Sequence, residues 1–273
     1  MNSNELRQIQ SEGAVDLLTT LRTVEINAVD ICNRSCEFCP QSQGYKPKKG
    51  FFNLDLIRKI SNDLNDINYN GRISFTGFGE PLLYKNLTEA MSIIKNTVTN
   101  LKWLEIVTNA DYLDREKALE LDSAGCTNVT VSMYDGDISS NILEYFDNTD
   151  IQLTFKHQYD GFMVVNRNEI VAKEQDLDIT RSCYLPFYKM MIDIDGHVLV
   201  CANDWARSGI VGNVCNDSIK DIWIGEPLNF YRQQLENGKR KNCTPCKFCD
   251  IKGTIHGIDS VLAWNAHYKN KVS

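Results

Sequence analysis

Three cysteines within eight residues constrain this chain more than any other feature. Cys32, Cys36 and Cys39 form the stretch CNRSCEFC, which closely follows the strand-like run TVEINAV. Clustered cysteines of this kind belong to a disulfide framework, a zinc site or an iron–sulfur site. The choice among the three depends on the compartment and on the residues that accompany the triplet.

The composition argues against disulfides. No apolar run approaches the roughly 20 residues of a membrane span, and the first residues, MNSNELRQIQSEG, lack the basic-then-apolar pattern of a secretory signal. We therefore expect a cytoplasmic protein, in which thiols are kept reduced and the ten cysteines are available for metal ligation or reactivity. The net charge of −7 argues against nucleic acid or an anionic membrane as a partner.

Short apolar strands alternate with amphipathic helices over the first two thirds of the chain. This repetition predicts a parallel sheet or barrel with right-handed crossovers, whose active site lies at the carboxyl ends of the strands. The stretches CNRSCEFC, TGFGEP, TNA and VSMYDG all fall at such strand ends. We therefore expect the functional site there.

A different pattern begins near residue 180. KMMIDIDGHVLVCANDW predicts a β-hairpin with its turn at the DG pair, and SIKDIW and LNFYRQQLENG predict short helices. We expect an α/β protein in two parts, which are a barrel domain over 1–180 and a smaller hairpin-and-helix module over 181–273.

Iron–sulfur ligation is the favoured interpretation of the triplet. Thiolates hold iron–sulfur clusters, and three of them leave one iron of a [4Fe–4S] cluster with an open coordination position. A structural zinc site needs four ligands and usually takes its cysteines as CxxC pairs. On spacing alone, zinc with a fourth ligand from elsewhere stays open as an alternative.

The triplet and its companion motifs resemble the radical S-adenosylmethionine (SAM) family. CNRSCEFC has that family's CxxxCxφC form, with Phe38 as the aromatic residue, and it follows the first predicted strand. GFGEP resembles the family's GGE motif, although Phe78 stands in place of the usual glycine. VTNA, at the end of the third strand, and VSMYDG resemble two further elements of the family.

This resemblance implies a partial (β/α)6 barrel, a [4Fe–4S] cluster on the three cysteines, and SAM as the ligand of the open iron. Reductive cleavage of SAM would then give a 5′-deoxyadenosyl radical that abstracts a substrate hydrogen. Glu80 would accept a charge-assisted hydrogen bond from the SAM ammonium. The residues that match the SAM-binding motifs are Phe38, Gly79, Glu80, Pro81, Thr108, Asn109 and Ser132.

A second group of cysteines resembles the SPASM/twitch extension of the same family, which carries auxiliary [4Fe–4S] clusters. GHVLVC ends at Cys201, and the terminal CTPCKFC contains Cys243, Cys246 and Cys249. The shorter twitch form has one four-cysteine cluster, and it implies Cys183, Cys201, Cys246 and Cys249 as ligands. The rival register CTPC and a structural zinc ribbon stay open as alternatives.

Within the family, the chain most resembles small twitch members that oxidise a secondary alcohol. The resemblance implies that Arg167 faces the substrate hydroxyl and acts on its proton, and that Asn203 also faces the substrate. The expected reaction converts a carbohydrate or aminocyclitol-like alcohol to a ketone, with the auxiliary cluster accepting the electron. A flavodoxin-type electron donor is the expected protein partner.

Two other outcomes stay open. A radical epimerase would need a cysteine that donates hydrogen, and Cys243 is the candidate because it is surplus to a four-ligand cluster. Modification of a ribosomal peptide is the third hypothesis, although only about twenty residues precede the first strand, too few for a peptide-binding domain.

Three further residues are predicted to serve packing. Trp205 and Trp223 are expected to pack the small module rather than contact substrate. Cys126 is expected to be a small buried hydrophobe beside a strand.

Overall fold

One eight-stranded sheet organises the protein. A computed structural model describes residues 16–134, 136, 140–157, 165–167, 170–171, 178–251 and 257–272. The order of strands across the sheet is β5-β4-β3-β2-β1-β6-β7-β8. The strands are β1 Thr23–Ile26, β2 Arg72–Phe75, β3 Trp103–Thr108, β4 Asn128–Met133, β5 Gln152–His157, β6 Lys189–Ile192, β7 His197–Leu199 and β8 Ile210–Asn213.

Helices connect the parallel strands and cover the sheet. The first begins behind Asn53, whose side chain accepts a hydrogen bond from the Asp55 backbone and so caps the helix. None of the described helices is long and apolar enough to span a membrane. The helices are α1 Leu54–Asp66, α2 Leu87–Thr97, α3 Arg115–Ser123, α4 Ser140–Tyr145, α5 Ile219–Ile224, α6 Glu226–Glu236 and α7 Ile258–Val272.

The first five strands run parallel in consecutive order, as their alternation with helices predicted. One face of these strands buries a continuous apolar core against the helices, with Val24, Ile73 and Leu104 side by side in register and Val129 opposite Ile106. Cys126 is buried in this core, as predicted. Because the strands are parallel, their carboxyl ends share one edge of the sheet, where the four motif-bearing loops begin.

The strands after residue 180 extend the same sheet. β6 pairs in parallel with β1, from Thr23 opposite Lys189 to Ile26 opposite Ile192. β6 and β7 form the predicted antiparallel hairpin, and Gly196 has a φ of +82° at its turn. The α/β class and the incomplete barrel are thus confirmed, with β5 and β8 at the edges of the described sheet. The domain boundary at 180/181 stays a prediction, because one continuous sheet crosses it.

A buried arginine anchors the C-terminal helix. The guanidinium of Arg232 lies 4.3 Å from the ring centre of Trp223 and 3.8 Å from that of Trp264, which belongs to α7. Trp264 Nε1 also donates to Thr20 Oγ1 at 3.0 Å. Burial lowers the pKa of Arg232 to about 9. Trp223 is fully buried, so its predicted packing role is confirmed.

We predict that Trp264→Ala lowers the free energy of unfolding by about 3 kcal/mol, because a large buried ring is lost and Arg232 loses one of its two aromatic partners. Denaturant unfolding followed by circular dichroism measures the change. Trp103→Ala is the control, since that ring is 42% exposed, and it should change stability by about 0.5 kcal/mol or less. Equal losses in the two variants would contradict the anchoring role.

Candidate functional site

The loop after β1 brings the first three cysteines to the carboxyl edge of the sheet. Cys32, Cys36 and Cys39 line one cleft of about 140 Å³. The Cys39 amide donates to the Cys36 carbonyl at 2.9 Å, and Ser42 Oγ contacts the Cys36 and Cys39 carbonyls at 2.8 and 2.9 Å. Gln41 ties the loop to the segment after β2 by donating to the Phe78 carbonyl at 2.8 Å. The protein's own hydrogen bonds therefore hold the loop.

A glycine allows the loop after β2 to approach the cysteine loop. A Cβ atom on Gly79 would lie 2.3 Å from the Val29 carbonyl oxygen and 2.5 Å from that of Ile31. The Glu80 amide donates to the same Ile31 carbonyl at 2.9 Å. Only glycine fits so close an approach of two backbones. Phe78, which replaces the family's glycine, is tolerated because its ring is buried beside Trp205.

Glu80 links the ends of β2 and β3. Its Oε1 accepts from Thr108 Oγ1 at 2.7 Å and from the Leu82 amide at 3.0 Å, and its Oε2 accepts from the Asn109 amide at 2.9 Å. Burial raises the pKa of Glu80, and these hydrogen bonds oppose that shift. The contacts give Glu80 a structural role, and its predicted contact with the SAM ammonium stays a prediction.

The ends of β3 and β4 complete the cleft. Asn109 Nδ2 donates to Asn33 Oδ1 at 2.9 Å and approaches the sulfur of Cys32 at 3.8 Å. Ser132 lines the cleft from β4, and the Phe38 ring lies 5.2 Å from that of Tyr134. Of the SAM-motif residues, Phe38, Gly79, Glu80, Thr108, Asn109 and Ser132 line the cleft, and Pro81 is buried as the first residue of a short 3₁₀ turn just behind it.

Burial disfavours the thiolate form of two cysteines in this cleft. Burial raises the pKa of Cys32, and the nearby Glu80 carboxylate raises it further. Burial likewise raises the pKa of Cys39, whereas the Arg167 guanidinium lowers it. Metal binding to such thiols releases protons, because the thiolate is the ligand.

A second cavity, of about 30 Å³, lies beside the first and is enclosed almost entirely by apolar atoms. The backbone amide and the side-chain Nδ2 of Asn203 donate to the sulfur of Cys201 at 3.4 and 3.5 Å. Burial, reinforced by neighbouring Cys183, raises the pKa of Cys201 to about 12. The four cysteines predicted as ligands, Cys183, Cys201, Cys246 and Cys249, are those that line this cavity.

These surroundings fit iron–sulfur clusters. Four thiols around a small apolar cavity, with N–H donors directed at one sulfur, form a suitable ligand set for a cluster. Within the described residues, no group of three or more histidine, cysteine or acidic side chains is arranged to hold a single metal ion. The cysteines of each set surround a cavity instead.

Cys243 lines neither cavity. It is 1% exposed, and its amide donates to the Arg240 carbonyl at the end of a short turn. Burial raises the pKa of its thiol to about 11. The role of Cys243 as a hydrogen donor stays a prediction, and the geometry gives it no direct support.

Arg167 and Asn203 lie where the two cavities meet. Arg167 lines both cavities, and its guanidinium donates a hydrogen bond to Asn203 Oδ1. Burial lowers the pKa of Arg167, while Cys201 of one cysteine set and Cys39 of the other raise it. The structure thus brings both predicted substrate residues together between the two cysteine sets.

Trp205 has a role that the sequence interpretation missed. It is buried as predicted, but its ring packs 4.7 Å from that of Phe78 and 5.0 Å from that of Tyr45, both in the first part of the chain, and it also lines the first cleft. It stands four residues after Cys201, on a segment that leads from the second cavity to the first. That proximity in sequence is the signal that could have identified it.

The sequence interpretation also missed a buried charge network that joins the first part of the chain to the segments after β6 and after Cys201. Arg207 donates to Asp193 at 2.5 Å and pairs with Asp30 at 2.9 Å, and Lys48 donates to Asp193 at 2.7 Å. Burial alone would raise the pKa of Asp193, but hydrogen bonds from Arg207, Lys48 and Asn27 outweigh it and lower the pKa to about 2. Both carboxylates are fully buried.

Known families match both parts of the chain. Residues 26–148 match the Radical SAM superfamily, and residues 183–250 match the SPASM iron-sulfur cluster-binding domain. S-adenosyl-L-methionine-dependent 2-deoxy-scyllo-inosamine dehydrogenase of Niallia circulans is 26% identical over 239 residues, which are 86% of this chain and 94% of that protein. GTP 3′,8-cyclase of Aquifex aeolicus is 30% identical over 117 residues, covering 42% of this chain and 35% of the cyclase.

Solved structures are also similar to this chain. The crystal structure of BtrN in complex with AdoMet and 2-DOIA has a TM-score of 0.74 at 25% identity, over 84% of this chain and 93% of BtrN. The structure of native anSMEcpe with bound AdoMet has a TM-score of 0.57 at 12% identity, over 92% of this chain and 98% of that chain. The second likeness concerns the fold alone.

We predict about eight irons per chain after anaerobic reconstitution, with about four at each cysteine set. Cys183→Ala and Cys246→Ala should each reduce the content to about four, because they remove a sulfur from the second cavity. Cys243→Ala is the matched control within the same tail and should keep about eight. Iron and sulfide assays with electron paramagnetic resonance measure the result, and a loss in Cys243→Ala with retention in Cys246→Ala would contradict the predicted ligand set.

Proposed function

This chain belongs to the radical SAM superfamily and carries a SPASM iron–sulfur cluster-binding domain, and we propose that it oxidises a secondary alcohol of an aminocyclitol or similar small carbohydrate to a ketone. The position of Arg167 and Asn203 between the two cysteine-lined cavities is the observation that supports this reaction most directly. The similarity to an aminocyclitol dehydrogenase over most of both chains supports the substrate class.

The cysteines divide between two cofactor sites. Cys32, Cys36 and Cys39 would hold the SAM-binding [4Fe–4S] cluster, and the four cysteines of the second cavity would hold the auxiliary one. When bound, the first cluster with SAM supplies the 5′-deoxyadenosyl radical, and the second supplies an electron acceptor. We further propose a cytoplasmic location and a flavodoxin-type protein as the electron donor.

The protein's own residues position the substrate alcohol and limit the access of water to it. Oxidation of the alcohol to the ketone removes a hydrogen atom from carbon, a proton from the hydroxyl and one electron. The hydrogen atom would go to the 5′-deoxyadenosyl radical, the proton to solvent and the electron to the auxiliary cluster. Arg167 can donate hydrogen bonds to the hydroxyl oxygen and keep the reacting carbon between the two cavities. Asn203 holds the guanidinium in place. Partial burial of both groups strengthens these contacts, because little water competes for them.

The position of Cys243 favours oxidation over epimerisation. A cysteine that returns hydrogen to a substrate radical must reach the substrate carbon. Cys243 is buried outside the lining of both cavities. Oxidation needs no such donor, and we therefore take dehydrogenation as the reaction.

We expect the anaerobic enzyme, with SAM and a reductant, to convert 2-deoxy-scyllo-inosamine or a related alcohol to its ketone with one 5′-deoxyadenosine per turnover. Mass spectrometry in deuterated water distinguishes the outcomes. A ketone supports the proposal. An alcohol that differs from the substrate only by one carbon-bound deuterium in place of hydrogen would establish an epimerase. The absence of both products across a panel of cyclitols and sugars would refute the substrate class.

Arg167→Gln should lower kcat/KM about 10- to 150-fold, because a hydrogen bond from a charged group contributes roughly 1.5–3 kcal/mol. Cleavage of SAM without substrate should persist, since the variant keeps the cysteines of the first cleft. Arg58→Gln is the control, because that side chain lies exposed on α1. Steady-state kinetics with the best alcohol of the panel measure the effect. Equal kcat/KM values for the two variants would show that Arg167 does not contact the substrate.

A further inference from the structure

The residue before Arg167 is bound to the terminal cysteine segment through both its main chain and its side chain. The Asn166 amide donates to Asp250 Oδ2 at 2.8 Å. Its Nδ2 donates to the Phe248 carbonyl at 2.6 Å. These two acceptors flank Cys249, which lines the second cavity. Asn166 is 3% exposed, so both bonds are shielded from water.

Arg167 itself has an unusual backbone. Its φ of +45° lies in the left-handed region, which is unfavourable for a residue with a Cβ atom. Such a conformation persists only where the surrounding contacts determine it. Among the described residues, such contacts are the bonds of Asn166 to Phe248 and Asp250 and the bond of the Arg167 side chain to Asn203. The Val171 amide also donates to the Asn166 carbonyl at 3.2 Å, across the turn that contains Arg167.

We propose that Asn166 and Asp250 are positioning residues that fix Arg167 between the two cavities. The placement of the substrate-facing arginine then depends on the folded terminal cysteine segment, so that this segment contributes to substrate binding as well as to ligation of the auxiliary cluster. The part of this inference that concerns substrate rests on the proposed function of Arg167.

A charge effect of Asp250 is the competing explanation. Its Oδ1 is buried without a hydrogen-bond partner among the described residues, and its carboxylate lies close enough to Arg167 and Cys249 to influence both electrostatically. The two explanations differ in one respect. Positioning needs an acceptor for the Asn166 amide, whereas the charge effect needs a carboxylate.

The variants Asp250→Asn and Asp250→Ala distinguish the positioning explanation from the charge explanation. The asparagine keeps an oxygen that accepts from the Asn166 amide, and the alanine does not. We expect Asp250→Ala and Asn166→Ala to raise KM about tenfold with iron content unchanged, because each loses a buried hydrogen bond. The conservative Asp250→Asn should restore KM to within about twofold of the native value. An equal loss in Asp250→Asn and Asp250→Ala would overturn the positioning role in favour of charge.

A second measurement needs no substrate. Hydrogen–deuterium exchange at the Asn166 amide, in the reconstituted protein with SAM, should accelerate about tenfold or more in Asp250→Ala and stay near the native rate in Asp250→Asn. Unchanged exchange in Asp250→Ala would overturn the proposal. If the native enzyme oxidises no alcohol, the proposed function fails, while the exchange result still decides whether these residues position Arg167.

Discussion

A buried ionic network links the segment just before the first cysteine set to the segment just after Cys201. Asp30 precedes Cys32 by two residues, Asp193 directly follows β6, and Arg207 follows Cys201 by six residues and bonds to both carboxylates. Desolvation offsets much of the Coulomb attraction in such a network, so it adds little net stability. It penalises any other arrangement strongly, because a buried charge without its partner costs about 3–5 kcal/mol. The network therefore favours one arrangement of the segments that carry Asp30, Asp193 and Arg207.

Contacts around the network reach the first cleft. The Arg207 guanidinium lies 4.6 Å from the centre of the Phe78 ring, and Trp205 packs on the same ring. Arg167 reaches the cleft from a segment that is bound to the cysteine tail. Groups from both halves of the chain thus enclose the same space. Such an enclosure suits a reaction that begins at one cofactor and delivers an electron towards another.

Much of the fold could be predicted, because its signals are local. The period of the apolar residues identified the strands and helices of the first part, and the DG pair identified the hairpin. The parallel pairing of β6 with β1 could not be predicted in the same way. This pairing joins strands that are far apart in the sequence, since Glu25 of β1 and Lys189 of β6 are 164 residues apart. No local pattern encodes a strand partner at that distance. The same limit applies to Trp205, whose burial was predicted but whose place beside the first cleft was not.

The sequence by itself determined the chemistry of the ligands. Cysteines three and four residues apart on one loop lie together in any fold, so the spacing within CNRSCEFC is enough to indicate a three-thiolate site. Only the tertiary structure brought Cys183, Cys201, Cys246 and Cys249 around one cavity and left Cys243 outside it. It also placed Arg167 between the two cavities. The physical reason is that spacing along the chain fixes distances within a loop, whereas distances between loops depend on how the buried segments pack.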